Sequence, residues 1–320
     1  MTPLRAVFLD CASVDRGDLD LATLRAATSP WTSHPQTPAA LAAERIGDAA
    51  VVVTNKVVVD RAVMTACRGL ELVCVAATGT NNVDLAAARE RGIAVCNVTG
   101  YATPSVVQHV FALILALATR LSEHSIAAKD GRWAASEMFC VLDLPFRELA
   151  GKTLGVVGWG ELGQGVARVA QAFGMTVLVA QRPRGSPREG RVPLDALLAQ
   201  ADVLTLHVPL AANTRNLIGA GELALMKRDA LLINTARGGI VDEVALAEAL
   251  RAGRLGGAGV DVLAAEPPRQ GSPLLEAGIP NLIVTPHVAW ASREARQRLI
   301  DEVAANIRAF REGRERNRVA

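Results

Sequence analysis

The stretch that decides the fold is Gly158-Trp159-Gly160-Glu161-Leu162-Gly163. A GxGxxG by itself is a weak signal. Here it follows an apolar run at 154–157 and opens a helical pattern with Val166, Ala167, Val169, Ala170 and Phe173 on its apolar positions. Strand, glycine-rich turn and helix together are the context a dinucleotide fold requires. Gly158 would make the tight turn. Gly160 would let the backbone approach a pyrophosphate, and Gly163 would let helix and strand pack closely. The helix start at Glu161 and Leu162 would supply N–H donors and a positive dipole to the phosphates. A glycine-rich turn with no ligand is the alternative reading.

The same alternation extends outward from this loop. Apolar runs at 153–157, 176–180, 203–207, 230–234, 258–262 and 282–285 read as buried parallel strands separated by helical patterns. An earlier series at 5–9, 51–53, 72–75 and 94–96 repeats the pattern without a phosphate-binding loop, and Asp84 can cap a helix over 84–91. Strand and helix alternating this often predict an α/β chain with parallel sheets. Thr103-Pro104 marks a joint, followed by one long apolar helix from about 105 to 121. A last amphipathic helix, about 293–311, can return to the first domain. Between 131 and 146 the pattern is irregular and carries Trp133, Phe139 and Phe146. Such aromatics either mark a subunit contact or pack against the parent domain.

Composition bounds what the chain can do. Its 320 residues suit two domains of about 150 each, and half of them are apolar, which excludes wholesale disorder. Lys and Arg number 34 against 32 Asp and Glu, a net of +2. A dedicated nucleic-acid binder would show a strong basic excess. The basic residues are nearly all Arg, since Lys occurs only at 56, 129, 152 and 227. Five cysteines without a CxxC pair fit a reducing compartment, a core role and no metal site. The N-terminus lacks a basic region followed by a long apolar one, and the longest apolar stretch, 110–118, falls short of the ~20 residues that span a bilayer. A soluble cytoplasmic protein with neither a nucleic-acid nor a membrane partner is expected.

The strand after the glycine loop predicts the coenzyme. Position 181 lies 18 residues beyond Gly163, where an acidic side chain would bind a ribose 2′-hydroxyl and repel a 2′-phosphate. It is Gln181, and Arg182, Arg184, Arg188 and Arg191 follow. Losing the carboxylate removes the penalty against a phosphate, and guanidiniums can bind one. NADP(H) is therefore favoured, with NAD(H) possible. A solvated basic loop is the alternative.

Five histidines are available for proton transfer. His34 and His124 read as bystanders, and His109, on an apolar helix, as a satisfied structural residue. His207 ends a strand of the nucleotide domain, and with Pro209 it would line the cofactor pocket. His287 follows the last strand in Thr285-Pro286-His287. Histidine suits acid–base work near neutrality. Two other strands end in Asn234-Thr235-Ala236-Arg237-Gly238-Gly239 and in Asp261 followed by Glu266-Pro267. Arg237, Glu266 and His287 thus follow three strand ends of one sheet. Arg237 can bind a carboxylate bidentately and polarise a carbonyl, and Glu266 can pair with His287 and favour its protonated form.

These motifs, together with Ala77-Thr78-Gly79-Thr80-Asn81-Asn82-Val83-Asp84, resemble the D-isomer-specific 2-hydroxyacid dehydrogenase family over nearly the whole chain. Cys140-Val141-Leu142-Asp143 and the run from His287 to Ser292 are most similar to glycerate dehydrogenases, also called hydroxypyruvate reductases. The resemblance implies two Rossmann-like domains, one flavodoxin-like and one dinucleotide-binding, with a cleft between them. It places a substrate domain at 1–100 plus 290–320 and an inserted dinucleotide domain at 101–289. It implies a homodimer and assigns Thr78, Thr235, Ala236 and Asp261 to the cofactor. It assigns Thr78, Gly79 and Arg237 to a small 2-oxo acid, whose reduction by the nicotinamide Arg237, Glu266 and His287 would assist, and Trp290 is a candidate wall of its pocket. Asn55, Lys56 and Tyr101 are further candidate pocket walls. Gln181 departs from the NAD pattern. A dehydrogenase-like corepressor is the competing class. A D-3-phosphoglycerate specificity is the competing substrate, although only a short basic tail follows the last helix. Formate dehydrogenases resemble the family too, but carry a glutamine where Glu266 stands.

Overall fold

A computed structural model describes residues 4–182 and 188–320. The chain divides into two compact units, Met1–Ala102 with Trp290–Ala320, and Thr103–Ala289. Arg184 lies outside the described residues.

The first unit holds a five-stranded parallel sheet of β1 (Ala6–Phe8), β2 (Trp31–Ser33), β3 (Val51–Thr54), β4 (Leu72–Val75) and β5 (Ala94–Cys96). Its order is β2-β1-β3-β4-β5. The inner strands are buried on both faces, because alternate residues serve opposite cores. Val51, Val53, Leu72 and Cys74 face one cluster, while Val52, Val73 and Val95 face the other. β2 was not expected from the sequence. It is a three-residue edge strand, largely exposed, and so carries no apolar run.

The helix Arg293–Arg311 closes one face of this sheet with Leu299, Ile300, Val303 and Ile307. Arginines tie it down. Arg296 grips Asp18 at 2.8 and 2.6 Å, and its guanidinium holds that carboxyl well below the usual carboxylate range. Arg298 reaches the carbonyl of Tyr101 at 2.8 Å and Arg311 that of Ala27 at 2.8 Å. The C-terminal tail then pairs with the open edge of β5, Val319 N–H donating to Val95 O at 2.8 Å. That covers an edge otherwise free to pair with another chain.

The second unit holds β6 (Thr153–Val157), β7 (Thr176–Val179), β8 (Val203–Leu206), β9 (Leu231–Asn234), β10 (Gly257–Val260) and β11 (Leu282–Val284). They form one parallel sheet in the order β11-β10-β9-β8-β6-β7. The chain goes from β6 to β7 on one side and then to β8 on the other. The order therefore reverses between β6 and β8, and ligands of open α/β sheets bind outside such a reversal. The register carries a second consequence. Asn234 lies opposite Val260, and Val260 opposite Val284, so the loops after β9, β10 and β11 leave the sheet level with one another.

The helix expected over 105–121 is two helices, Thr103–Ala118 and Leu121–Lys129. Thr119 bonds its hydroxyl back to Leu115 O at 2.7 Å, and Arg120 takes a left-handed φ of 50°. Its guanidinium then pairs with Glu123 in the next turn. Periodicity could not show this break, because apolar residues continue on both sides of it. Among the described residues no single helix is long and apolar enough to cross a membrane.

Candidate active site

The glycine loop sits at the reversal of the second sheet. Gly158 has a φ of +102°, and a Cβ there would overlap the carbonyl of His207 at the end of β8. A Cβ on Gly163 would overlap the carbonyl of Gly158. Both glycines are required by close backbone approach. Gly160 is different, since among the described residues nothing beyond its own chain neighbours lies within 4 Å of its Cβ position. It begins the helix Glu161–Ala172 without a side-chain cap, so the first N–H groups are left for an anion. Glu161 in that first turn accepts from Thr103 Oγ1 at 2.6 Å.

Two buried polar atoms near these strand ends have no protein partner: His207 Nδ1 and Thr235 Oγ1. Thr205 holds the other ring nitrogen of His207 at 3.0 Å, and burial pushes its pKa down to about 4. His207 is thus neutral at pH 7. Orphaned buried polar groups are rare and call for a partner. A dinucleotide along the β6–β8 reversal would offer one to each, so these residues fit the group. Pro209 lies just beyond, its carbonyl accepting from Thr214 Oγ1 at 2.6 Å.

The segment expected to choose the coenzyme is organised by Gln181 itself. Its amide donates to Arg188 O at 2.9 Å and Arg191 O at 3.1 Å, and accepts from Arg188 N–H at 3.0 Å. Partial burial and then the charges of Arg188 and Arg182 lower the pKa of Arg191. Gln181 thus ties the end of β7 to the backbone of Arg188 and Arg191, and a carboxylate could not make the two donated bonds, having no N–H.

At the level ends of β9, β10 and β11 lie the three residues singled out for chemistry. His287 Nδ1 is 2.6 Å from Glu266 Oε2, and the other Glu266 oxygen accepts from Leu263 N–H at 2.8 Å. Glu266 is thereby fixed from both sides. Arg237 points one guanidinium N–H back to Ala236 O at 2.7 Å, and Asn234 braces its loop through Ala236 N–H and Arg237 O at 3.1 and 3.0 Å. A Cβ on Gly238 would overlap the carbonyl of Leu263, so the Arg237 loop and the Glu266 loop touch backbone to backbone. Glu243, which the sequence did not single out, holds Ala264 N–H at 2.5 Å and the Ser272 hydroxyl at 2.6 Å.

A family model described as "D-isomer specific 2-hydroxyacid dehydrogenase, NAD binding domain" matches residues 111–289. The chain belongs to this family. It is a dehydrogenase of 2-hydroxy acids that uses a nicotinamide dinucleotide. A glycerate dehydrogenase of Methylorubrum extorquens is 45% identical over 317 residues, 98% of each chain. A hydroxypyruvate reductase of Blautia hydrogenotrophica is 37% identical over 97% of this chain and 98% of its own. Among solved structures, a Thermus thermophilus protein superposes with a TM-score of 0.85 at 37% identity, covering 99% of this chain and 100% of its own. An NADPH-dependent glyoxylate/hydroxypyruvate reductase of Sinorhizobium meliloti, solved with NADP and malonate, gives 0.81 at 29% identity over 100% and 97%.

The remaining candidate residues of this dehydrogenase are placed as follows. Asp261, expected on the cofactor, is buried, and its carboxylate accepts from Thr285 Oγ1 at 2.5 Å and from the N–H groups of Val288 and Ala289 at 2.9 Å each. All of these contacts go to the loop that carries His287. In the first unit, Thr78 and Gly79 follow β4. Thr78 bonds Val98 O at 2.8 Å and receives Asn97 Nδ2 at 2.7 Å on its carbonyl. Asn97 is in turn held by the buried Asn306 of the last helix at 2.9 Å. At the reversal of the first sheet, between β1 and β3, Asp10 accepts from the N–H groups of Asn55 and Lys56 at 2.9 and 2.7 Å. Tyr101 and Trp290 meet edge to face, with ring centroids 6.4 Å apart.

Proposed function

We propose that this dehydrogenase reduces a small 2-oxo acid, hydroxypyruvate or glyoxylate, to the D-2-hydroxy acid, with NADPH as the favoured reductant. The observation that carries the reading is the Glu266–His287 pair at 2.6 Å beside the Arg237 loop. Nδ1 pairs with Glu266, and Nε2 would be the ring nitrogen that serves the substrate oxygen. As an imidazolium it would protonate the alkoxide developing at C2, and Glu266 would stabilise that charge. In the reverse direction His287 is the base. Arg237 would hold the substrate carboxylate and polarise the carbonyl, with Thr78 and Gly79 amides as further carboxylate donors. When bound, the reduced nicotinamide supplies the hydride. Trp290 would contribute to the substrate pocket. The names of the glycerate dehydrogenase and hydroxypyruvate reductase relatives support the substrate class.

The coenzyme preference rests on Gln181 and the guanidiniums of Arg182, Arg188 and Arg191. A panel of 2-oxo acids assayed with NADH and NADPH in parallel tests both parts. Hydroxypyruvate or glyoxylate should give the highest kcat/KM, and NADPH should exceed NADH. A preference for NADH of ~10-fold, about 1.4 kcal/mol, would reject the coenzyme assignment. Turnover of none of the acids would favour the corepressor class.

We also propose a homodimer formed through the segment 131–146. Phe139 is 91% exposed, and Trp133, Met138, Leu142 and Phe146 are each more than half exposed. This leaves the segment unburied by its own unit, and an apolar patch of this kind favours a partner surface. Light scattering at micromolar concentration should read twice the chain mass, and Phe139→Ser should shift it toward one. A wild-type monomer at that concentration would refute the dimer.

A further inference from the structure

His109 was expected to be a satisfied structural histidine. Its partners give it more to do. The helix Thr103–Ala118 carries Ser105 and His109 four residues apart, on one face. Ser105 donates its hydroxyl to Ala289 O at 2.7 Å, and His109 Nε2 meets Thr285 Oγ1 at 2.9 Å. The helix therefore clamps both ends of the loop 285–289, with His287 at its centre.

The direction of the hydrogen bonds follows from proton count. Thr285 has one hydroxyl proton, and the Asp261 carboxylate, 2.5 Å away, can only accept. The proton goes to Asp261. The hydroxyl oxygen then accepts from His109, so Nε2 is the protonated ring nitrogen. His109 thereby sets the rotor of Thr285, and Thr285 sets Asp261, whose Oδ1 lies 3.6 Å from His109 Nε2. Asp261 in turn holds the N–H groups of Val288 and Ala289, while its own carbonyl accepts from His287 N–H at 2.8 Å.

This array has a strained centre to restrain. His287 has a φ of +55°, in the left-handed region that non-glycine residues rarely occupy. Such a conformation persists only where its surroundings over-determine it, and it clusters at functional sites. Here the hydrogen bonds of Ser105, Thr285, Asp261 and the loop amides do so.

We propose that His109 and Thr285 are positioning residues, which act through Asp261 to hold His287 in the left-handed conformation that aims its imidazole between Glu266 and the substrate. The inference rests on His287 being the proton donor, and the test separates the two. Thr285→Val keeps the shape and removes the hydroxyl. It should lower kcat on the order of tenfold, since small misplacements of a reacting group are costly. The KM for the oxo acid and the coenzyme Kd should stay within about twofold, the range expected when only transition-state contacts weaken. Thr285→Ser should restore most of the rate. Placed in the His287→Ala background, Thr285→Val should cost nothing further. His109→Leu, which leaves Thr285 and Asp261 in place, should repeat the pattern, and it carries the test if Thr285→Val does not fold.

Wild-type kcat in both Thr285→Val and His109→Leu, beside a slow His287→Ala, overturns the positioning role and leaves the donor intact. An equal loss in the His287→Ala background also overturns it, because the residues would then act elsewhere. Fast turnover by His287→Ala removes the donor itself, and the positioning role falls with it.

Discussion

His287→Ala should lower kcat by about 10²–10⁴, the usual contribution of a positioned proton donor. That is about 3–5 kcal/mol of transition-state stabilisation. The coenzyme Kd should hardly change. The loop glycines, the start of the helix Glu161–Ala172 and the orphaned atoms of His207 and Thr235 lie on other strand ends. Two measurements check this: steady-state turnover of hydroxypyruvate and coenzyme binding by nucleotide fluorescence. The substitution removes a side chain that is itself partly open to solvent, so folding should survive. Turnover near the wild-type rate would take the proton donor away from His287. A lost coenzyme affinity would mean that the loop 285–289 collapsed, and Glu266→Gln, which keeps the volume, would then be the cleaner probe.

Gly238→Ala should be the most damaging added methyl among the described glycines. The added Cβ would overlap both the carbonyl of Leu263 and the amide of Ala264. Neither is the end of a flexible side chain, so the two backbones must part. Glu243 and Glu266 pin the 263–266 segment from the other side, at 2.5 and 2.8 Å, so it cannot easily yield. The Arg237 loop then moves instead. Overpacking of this kind costs about 3 kcal/mol, or a fall in Tm on the order of 10 °C. Shifting Arg237 by about an ångström against the Glu266–His287 pair should cost a further ~10² in kcat/KM. Thermal unfolding and kcat/KM for the oxo acid, measured together, decide it. An unchanged Tm with unchanged kinetics would show that the two loops are not in register as described.

The excess of arginine over lysine resolves into placements. Arg296, Arg298 and Arg311 bind a carboxylate and backbone carbonyls that the last helix must reach. Arg182 follows Gln181 directly, and Arg188 and Arg191 are held to Gln181 through their backbone. Net charge recorded neither arrangement, because pairing and clustering leave the sum untouched.

Residue patterns alone were enough for the two series of parallel strands and the glycine loop, and they put forward Arg237, Glu266 and His287 as candidates. Strands buried on both faces must be apolar along their whole length, so they announce themselves. The exception, β2, is an exposed edge strand and makes no such demand. Helix caps such as Asp84, which accepts from Ala87 N–H at 2.9 Å, are also local and therefore legible. The order of the strands is not local. Only the tertiary structure set Asn234, Val260 and Val284 side by side, and so brought to one level strand ends 24 to 50 residues apart in sequence. It alone joined His109 to Thr285 across 176 positions and turned Asp261 toward the His287 loop. The physical reason is the difference in range. Periodicity and capping are fixed by neighbours along the chain, whereas hydrogen bonds between strand ends depend on which strands pair, and no residue pattern states that pairing.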